Sequence, residues 1–97
     1  MFSLSELYNL YPERPEKPET LRAQEVLAPY IDQFKLSFAN GNLKIGTEDG
    51  LLNTLSLSRI HAIIDKSDYV YIVLRASIYV LCKKNNEVKI HLKQELL

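Results

Sequence analysis

Hydrophobic and polar positions change their period once along the chain, and the change predicts two kinds of structure. Within residues 23–34 the apolar side chains recur at spacings of three and four, typical of one helix face, and they are Ala23, Val26, Leu27, Tyr30, Ile31 and Phe34. Thr20 is the candidate cap, and Pro29 predicts a break or kink just before it because proline removes a helical hydrogen bond. From Phe34 onward the period is two, which predicts β-strands.

Residues 1–18 are predicted to form a short helix and a stiff spacer. Ser3 and Glu6 have the spacing of a capping box, which favours a helix from Leu4 to about Tyr11. Prolines at a spacing of three in residues 12–18 favour polyproline II geometry and exclude both helix and central strand. Residues 19–97 are expected to form a single small domain.

The first reversals of the strand region can be placed by asking which register pairs apolar residues on one face. Asn-Gly at residues 40 and 41 is a type I′ turn signal, and a two-residue loop there sets Phe38 opposite Leu43. A three-residue loop at residues 48–50 sets Leu43 opposite Leu55. These registers predict three consecutive antiparallel strands.

The later reversals are a corner and a hairpin. Apolar residues prefer odd positions up to Leu57 and then fall at Ile60, Ala62 and Ile64, so residues 58 and 59 must hold a turn, a bulge or a sheet corner. Residues 69–82 predict two strands, and a three-residue loop at residues 75–77 sorts them into an aliphatic face and a tyrosine-rich face. The aliphatic face would contain Val70, Ile72, Leu74, Ile78, Val80 and Cys82.

The last strand is predicted to be half-buried, because Val88, Ile90 and Leu92 alternate with Lys89, His91 and Lys93. The predicted fold class is therefore α+β, a strongly bent antiparallel β-meander of six or seven strands with two short N-terminal helical segments. Its concave face is the expected core, formed by Phe34, Leu36, Phe38, Leu43, Ile45, Val70, Ile72, Leu74 and Val80.

Composition narrows the class of protein. The chain has 97 residues, 46% apolar and 25% charged, which is typical of a soluble globular domain. Its twelve basic and twelve acidic side chains cancel, so charge alone would not recruit nucleic acid or an anionic membrane. The apolar run at residues 69–82 is shorter than the roughly 20 residues of a spanning helix. Without a signal-peptide pattern at residues 1–10, and with Cys82 as a single buried thiol, a cytoplasmic location is expected.

Few residues carry catalytic or metal-binding signals. His61 and His91 have no second histidine or cysteine at ligand spacing, and no nucleophile or phosphate-loop motif is present. We therefore expect a non-enzymatic protein with no cofactor and no metal. The alternative is a small ligand-binding barrel or enzyme that uses His61 with Asp65 or Asp68 around an internal pocket.

The tyrosines indicate a binding surface. Tyr69, Tyr71 and Tyr79, together with Arg75, are predicted to form a protein-binding patch, with an exposed strand edge as the other candidate surface. A small domain has little core, so a homodimer is also expected. The patch could instead stack nucleic-acid bases, which zero net charge disfavours. It could also be covered by the N-terminal helices through Leu4, Leu7, Val26 or Leu27.

Two runs of sequence resemble a known family pattern, residues 57–74 (LSRIHAIIDKSDYVYIVL) and residues 78–84 (IYVLCKK). Ser-Arg-Ile at 58–60 and Asp-Tyr-Val-Tyr at 68–71 match the C-terminal domain of the bacterial YcxB-like family, over about residues 34–92. The resemblance implies a small pleckstrin-homology-like β structure, soluble and facing the cytoplasm, with no established activity or catalytic residues. Family members usually carry two transmembrane helices before this domain, so a membrane-proximal domain of a larger protein is a further alternative.

Overall fold

In the computed structural model, residues 22–46 and 52–96 are described, and most of them lie in two antiparallel sheets. The first sheet, in spatial order, contains β1 (Leu36–Ala39), β2 (Asn42–Gly46) and β3 (Leu52–Ser56). The second contains β4 (Ile60–Asp65), β5 (Tyr69–Leu74), β6 (Ser77–Cys82) and β7 (Val88–Leu92). The predicted α+β class with antiparallel strands is confirmed. The predicted N-terminal helix, the proline spacer, Thr20 and the loop at 48–50 lie outside the described residues.

The predicted helix is broken at its proline. It consists of α1 (Ala23–Leu27), a 3-10 turn (Ala28–Tyr30) and α2 (Ile31–Phe34), so the expected interruption at Pro29 is confirmed. The segment buries Leu27 and Phe34 completely. No helix among the described residues is both long and apolar enough to cross a membrane.

A left-handed residue and a glycine bring the end of α2 against the first sheet. Lys35 adopts a φ of 53°, and its carbonyl oxygen accepts a hydrogen bond of 3.1 Å from the backbone N–H of Gly46. A Cβ atom at position 46 would lie only 2.9 Å from the Cβ of Lys35. The close approach therefore requires glycine at the end of β2.

The registers predicted for the first sheet are confirmed. Asn40 and Gly41 have positive φ values of 53° and 75°, as a type I′ turn requires. Phe38 lies opposite Leu43, which lies opposite Leu55 on its other side.

The corner predicted at residues 58 and 59 is also confirmed, and a bulge follows it. A 3-10 turn (Leu57–Arg59) leads from β3 into β4. Ile60 pairs with Leu74, whereas Ala62 pairs with Val73, so His61 is an extra residue in β4. The common parity of Ile60, Ala62 and Ile64 does not put them on one face, because the bulge leaves Ile60 in the core between the sheets and turns Ala62 to the opposite face.

The predicted three-residue loop between β5 and β6 is wrong. Val73 pairs with Ile78, and Ile72 pairs with Tyr79, so the loop contains only Arg75 and Ala76, while Ser77 begins β6. A shift of one residue turns every side chain of a strand to the other face. Matching apolar residues across the hairpin did not identify the correct register, because both faces of β5 and β6 carry buried side chains.

Two apolar clusters lie on the two faces of the second sheet. The core between the sheets contains Leu27, Phe34, Leu36, Leu43, Ile45, Leu55, Ile60, Val70, Ile72 and Leu81, with Phe38, Leu74 and Tyr79 packed against it. The cluster on the outer face contains Ala62, Tyr71, Val73, Ile78 and Val80. Most of the predicted core is therefore correct, but Val80 belongs to the outer cluster because of the register shift. Leu27 packs between the sheets and not against the outer tyrosines.

Candidate functional site

The structure separates the four residues predicted to bind a partner. Tyr69 and Tyr71 lie together on the outer face, with ring centroids 5.9 Å apart, and Tyr71 is only 6% exposed. Tyr79 faces the core between the sheets, where burial raises the pKa of its hydroxyl. Arg75 lies exposed in the turn between β5 and β6. The register shift is the reason that no single tyrosine face forms, and a binding role for these residues stays a prediction.

One end of the second sheet is held by a cluster of paired groups, which we name the clasp and which consists of Tyr30, Gln33, Asp65 and Lys83. The Asp65 carboxylate accepts hydrogen bonds from the Tyr30 hydroxyl at 2.6 Å and from Lys83 Nζ at 2.7 Å. Lys83 Nζ lies 4.8 Å from the centroid of the Tyr30 ring. The Gln33 amide donates to the Lys83 carbonyl at 2.6 Å. The clasp therefore joins the helical segment to the last residue of β4 and to the turn that follows β6.

The charges of the clasp stabilise each other. Desolvation acts to raise the pKa of Asp65, but the hydrogen bonds from Lys83 and Tyr30 hold that pKa below its ordinary value. The hydrogen bond to Asp65 in turn raises the pKa of Lys83, with a further contribution from Tyr30. Both groups are therefore charged at neutral pH and engaged with each other, which is the behaviour of a structural contact.

The structure does not bring His61 to Asp65 or Asp68. His61 is the bulged residue near the start of β4, whereas Asp65 ends that strand and Asp68 lies in the turn after it. At about 3.3 Å per residue, four residues of strand separate His61 from Asp65 by roughly 13 Å. His61 instead lines a cleft with Arg59 and Arg75 at the other end of the sheet. Across residues 22–46 and 52–96, no three His, Cys, Asp or Glu side chains cluster as metal ligands would.

The outer edge of β7 is the most open apolar surface in the described part of the chain. Ile90 and Leu92 are 44% and 41% exposed, although they point to the same side of the sheet as the half-buried Val88. The predicted half-buried face is therefore wrong beyond Val88. β7 is an edge strand, and among the described strands it pairs with β6 alone. The sequence could have predicted this exposure, because the last strand in a series of hairpins lies at the edge of its sheet.

Backbone hydrogen bonds show which groups of β7 face outward. The carbonyl of Glu87 accepts from Cys82 N–H at 2.8 Å, and Lys93 N–H donates to the Ala76 carbonyl at 2.8 Å. Backbone groups alternate in direction along an antiparallel strand, so the odd-numbered residues of β7 bond to β6. The N–H and C=O groups of Val88, Ile90 and Leu92 therefore point to the open edge.

Comparisons with known proteins give no indication of function. No protein-family model, curated protein or solved structure matches the chain. The function must therefore be argued from the surfaces of the molecule.

Proposed function

We propose that this protein is a non-enzymatic interaction module that binds by strand addition along the outer edge of β7. The observation that carries the proposal is the row of outward backbone groups at Val88, Ile90 and Leu92, beside two exposed aliphatic side chains. An open edge strand is a ready template for another strand, since main-chain hydrogen bonds and alternate apolar side chains contribute together. The alternative surface is the outer face around the half-buried Tyr69, since Tyr71 is only 6% exposed.

The occupant that we propose is β7 of a second copy. The apolar residues of β7 are symmetric about Ile90, so a twofold axis there sets Ile90 opposite its own copy and Val88 opposite Leu92 of the partner subunit. The same axis sets Lys89 opposite His91 of the partner subunit, so no two lysines face each other directly. Antiparallel pairing in this register would join two four-stranded sheets into one continuous sheet.

Light scattering after size-exclusion chromatography, over a range of loading concentrations, tests the dimer. We expect the wild-type protein to dimerise, and Ile90→Lys to weaken the dimer at least tenfold because it places like charges at the axis. Ile90→Pro should do the same, since it removes an outward N–H and no hydrogen bond to β6.

Ile31→Lys is the matched control, because Ile31 is an exposed aliphatic side chain on the helical segment, 36% exposed. It should dimerise like the wild type, and circular dichroism should show all variants folded. A wild-type protein that stays monomeric at every concentration would contradict the self-pairing. A dimer unchanged by both substitutions at position 90 would exclude the β7 edge.

We also propose that the two sheets form a pleckstrin-homology-like arrangement, as the resemblance to the YcxB-like family implies, with the domain located in the cytoplasm. The support is that consecutive strands pair within each sheet, and that β3 passes into β4 through the single turn Leu57–Arg59. The resembling Asp-Tyr-Val-Tyr run at 68–71 leads from the turn into β5. An experimental structure of the full chain tests this arrangement.

A further inference from the structure

A cleft lies at the end of the second sheet that is opposite the clasp. The end of β3, the turn Leu57–Arg59 and the loop between β5 and β6 surround it, and its volume is about 590 Å³. Clefts that hold small organic ligands have volumes of about 300–1,000 Å³. The cleft is therefore large enough for more than a single inorganic ion.

The polar lining of the cleft is basic and rich in hydroxyl groups. Arg59, Arg75 and His61 line it together with Ser56, Ser58 and Ser77. Among the described residues, no acidic side chain lines it. Each of these side chains can donate a hydrogen bond, and the two guanidinium groups carry permanent positive charge. The lining therefore favours an anionic oxygen group.

The two arginines of the cleft differ from three other cations of the described chain, which lie in ion pairs. Arg22, Lys83 and Lys89 each lie near a carboxylate, at 3.6, 2.7 and 3.9 Å respectively. No ion pair joins Arg59 or Arg75 to a carboxylate within the described ranges. Their positive charge is thus available to a ligand.

The bulge in β4 supplies a separate reason to regard the cleft as a binding site. The extra residue of the bulge is His61, and its side chain is half-buried and lines the cleft. Bulges are over-represented beside functional sites because they redirect a side chain that regular pairing would point elsewhere. In the same lining, the hydroxyl groups of Ser56 and Ser58 are hydrogen-bonded to each other, with their oxygens 2.8 Å apart.

We propose that this cleft binds the phosphate group of a phosphorylated organic molecule. Two guanidinium groups match the several oxygens of a phosphate, since each can donate two parallel hydrogen bonds. Leu55, Leu74 and Ala76 complete part of the wall, and they offer apolar contact to the organic part of the ligand. The phosphate can belong to a soluble monoester or to a lipid headgroup, because the chemistry that recognises it is the same.

An NMR titration of backbone amides with inorganic phosphate, at constant ionic strength, tests the site. We expect saturable shift changes concentrated at residues 58–61 and 75–77. The double variant Arg59→Gln/Arg75→Gln should bind phosphate at least tenfold more weakly, because it loses two charge-assisted contacts. Lys84→Gln is the matched control, since Lys84 is an exposed cation in the turn between β6 and β7, beside the clasp, and it should titrate like the wild type.

Two further titrations identify the source of the phosphate. Phenyl phosphate represents a soluble monoester, and phosphatidylcholine vesicles with and without phosphatidic acid represent a lipid headgroup. Tighter binding of either than of inorganic phosphate, lost in the double arginine variant, supports the proposal and assigns the class. Shifts that do not saturate, or a double variant that titrates like the wild type, would overturn it, whatever the oligomeric state of the protein.

Discussion

The two ends of the second sheet use charge in opposite ways. At the clasp, Lys83 is hydrogen-bonded to Asp65, which also accepts from Tyr30. At the cleft, Arg59 and Arg75 have no carboxylate partner within the described ranges. Paired charges hold elements of a fold together, whereas unpaired cations around a concave surface are free to meet an anion. This difference is the basis on which we assign stability to the clasp and propose binding at the cleft.

The largest expected effect on stability comes from displacing the helical segment. This segment contributes Tyr30 and Gln33 to the clasp. Gly46→Ala places a Cβ atom 2.9 Å from the Cβ of Lys35, directly after α2, so the backbone must shift. We expect it to lower the free energy of unfolding by about 1–3 kcal/mol, as measured by urea denaturation. Ser37→Ala, at an exposed position of β1, is the control and should change little. If the urea midpoint of Gly46→Ala equals that of the wild type, position 46 has room for a Cβ atom beside Lys35.

An intermediate effect is expected from breaking the clasp. Asp65→Asn removes the charge that Lys83 and Tyr30 contact, and we expect a loss of about 1 kcal/mol because the pair is partly exposed to solvent. Lys83→Met should cost about as much, and the double variant should cost less than the sum of the two. Phosphate binding at the cleft should be unchanged in all three. Additive losses in the double-mutant cycle would show that the two side chains are not coupled.

The loss of stability in Asp65→Asn should depend on pH. The folded-state pKa of Asp65 is lowered, so its contribution is present above its unfolded-state pKa and is lost as pH falls through the folded value. The pKa of Lys83 is raised, so its contribution is present below the unfolded value and is lost as pH rises through the folded value. The stability difference between wild type and Asp65→Asn should therefore be largest near neutral pH and shrink toward both extremes. A difference that is constant with pH would contradict this assignment.

The smallest effect on stability is expected at the cleft. Arg59→Gln and Arg75→Gln should each leave the free energy of unfolding within about 0.5 kcal/mol of the wild type, because both side chains are exposed and form no ion pair with the rest of the described chain. Urea denaturation provides this measurement too. A loss as large as that of Asp65→Asn would remove the contrast between the two ends and indicate a structural role for these arginines.

Several features of the fold could be predicted because they depend on local backbone chemistry. Asn40 and Gly41 tolerate the positive φ values of a type I′ turn, and that turn brings Phe38 opposite Leu43. Pro29 interrupts the helix wherever that helix packs. The parity change near Ser58 required a corner because strand side chains alternate strictly. The distance between His61 and Asp65 also follows from strand geometry, so the paired site with Asp65 could have been rejected at that level.

Other features depend on what lies across the sheet, and local preferences do not contain that information. Both faces of β6 are apolar, so hydrophobic sorting does not distinguish Tyr79 facing inward from Tyr79 facing outward. The alternation of β7 is regular, yet Ile90 is exposed because a strand at the edge of a sheet lacks a neighbour on one side. Likewise, only the packed chain pairs Lys83 with Asp65 and leaves Arg59 and Arg75 together at the cleft. Backbone sterics act over a few residues, whereas register, exposure and charge pairing depend on contacts between distant segments.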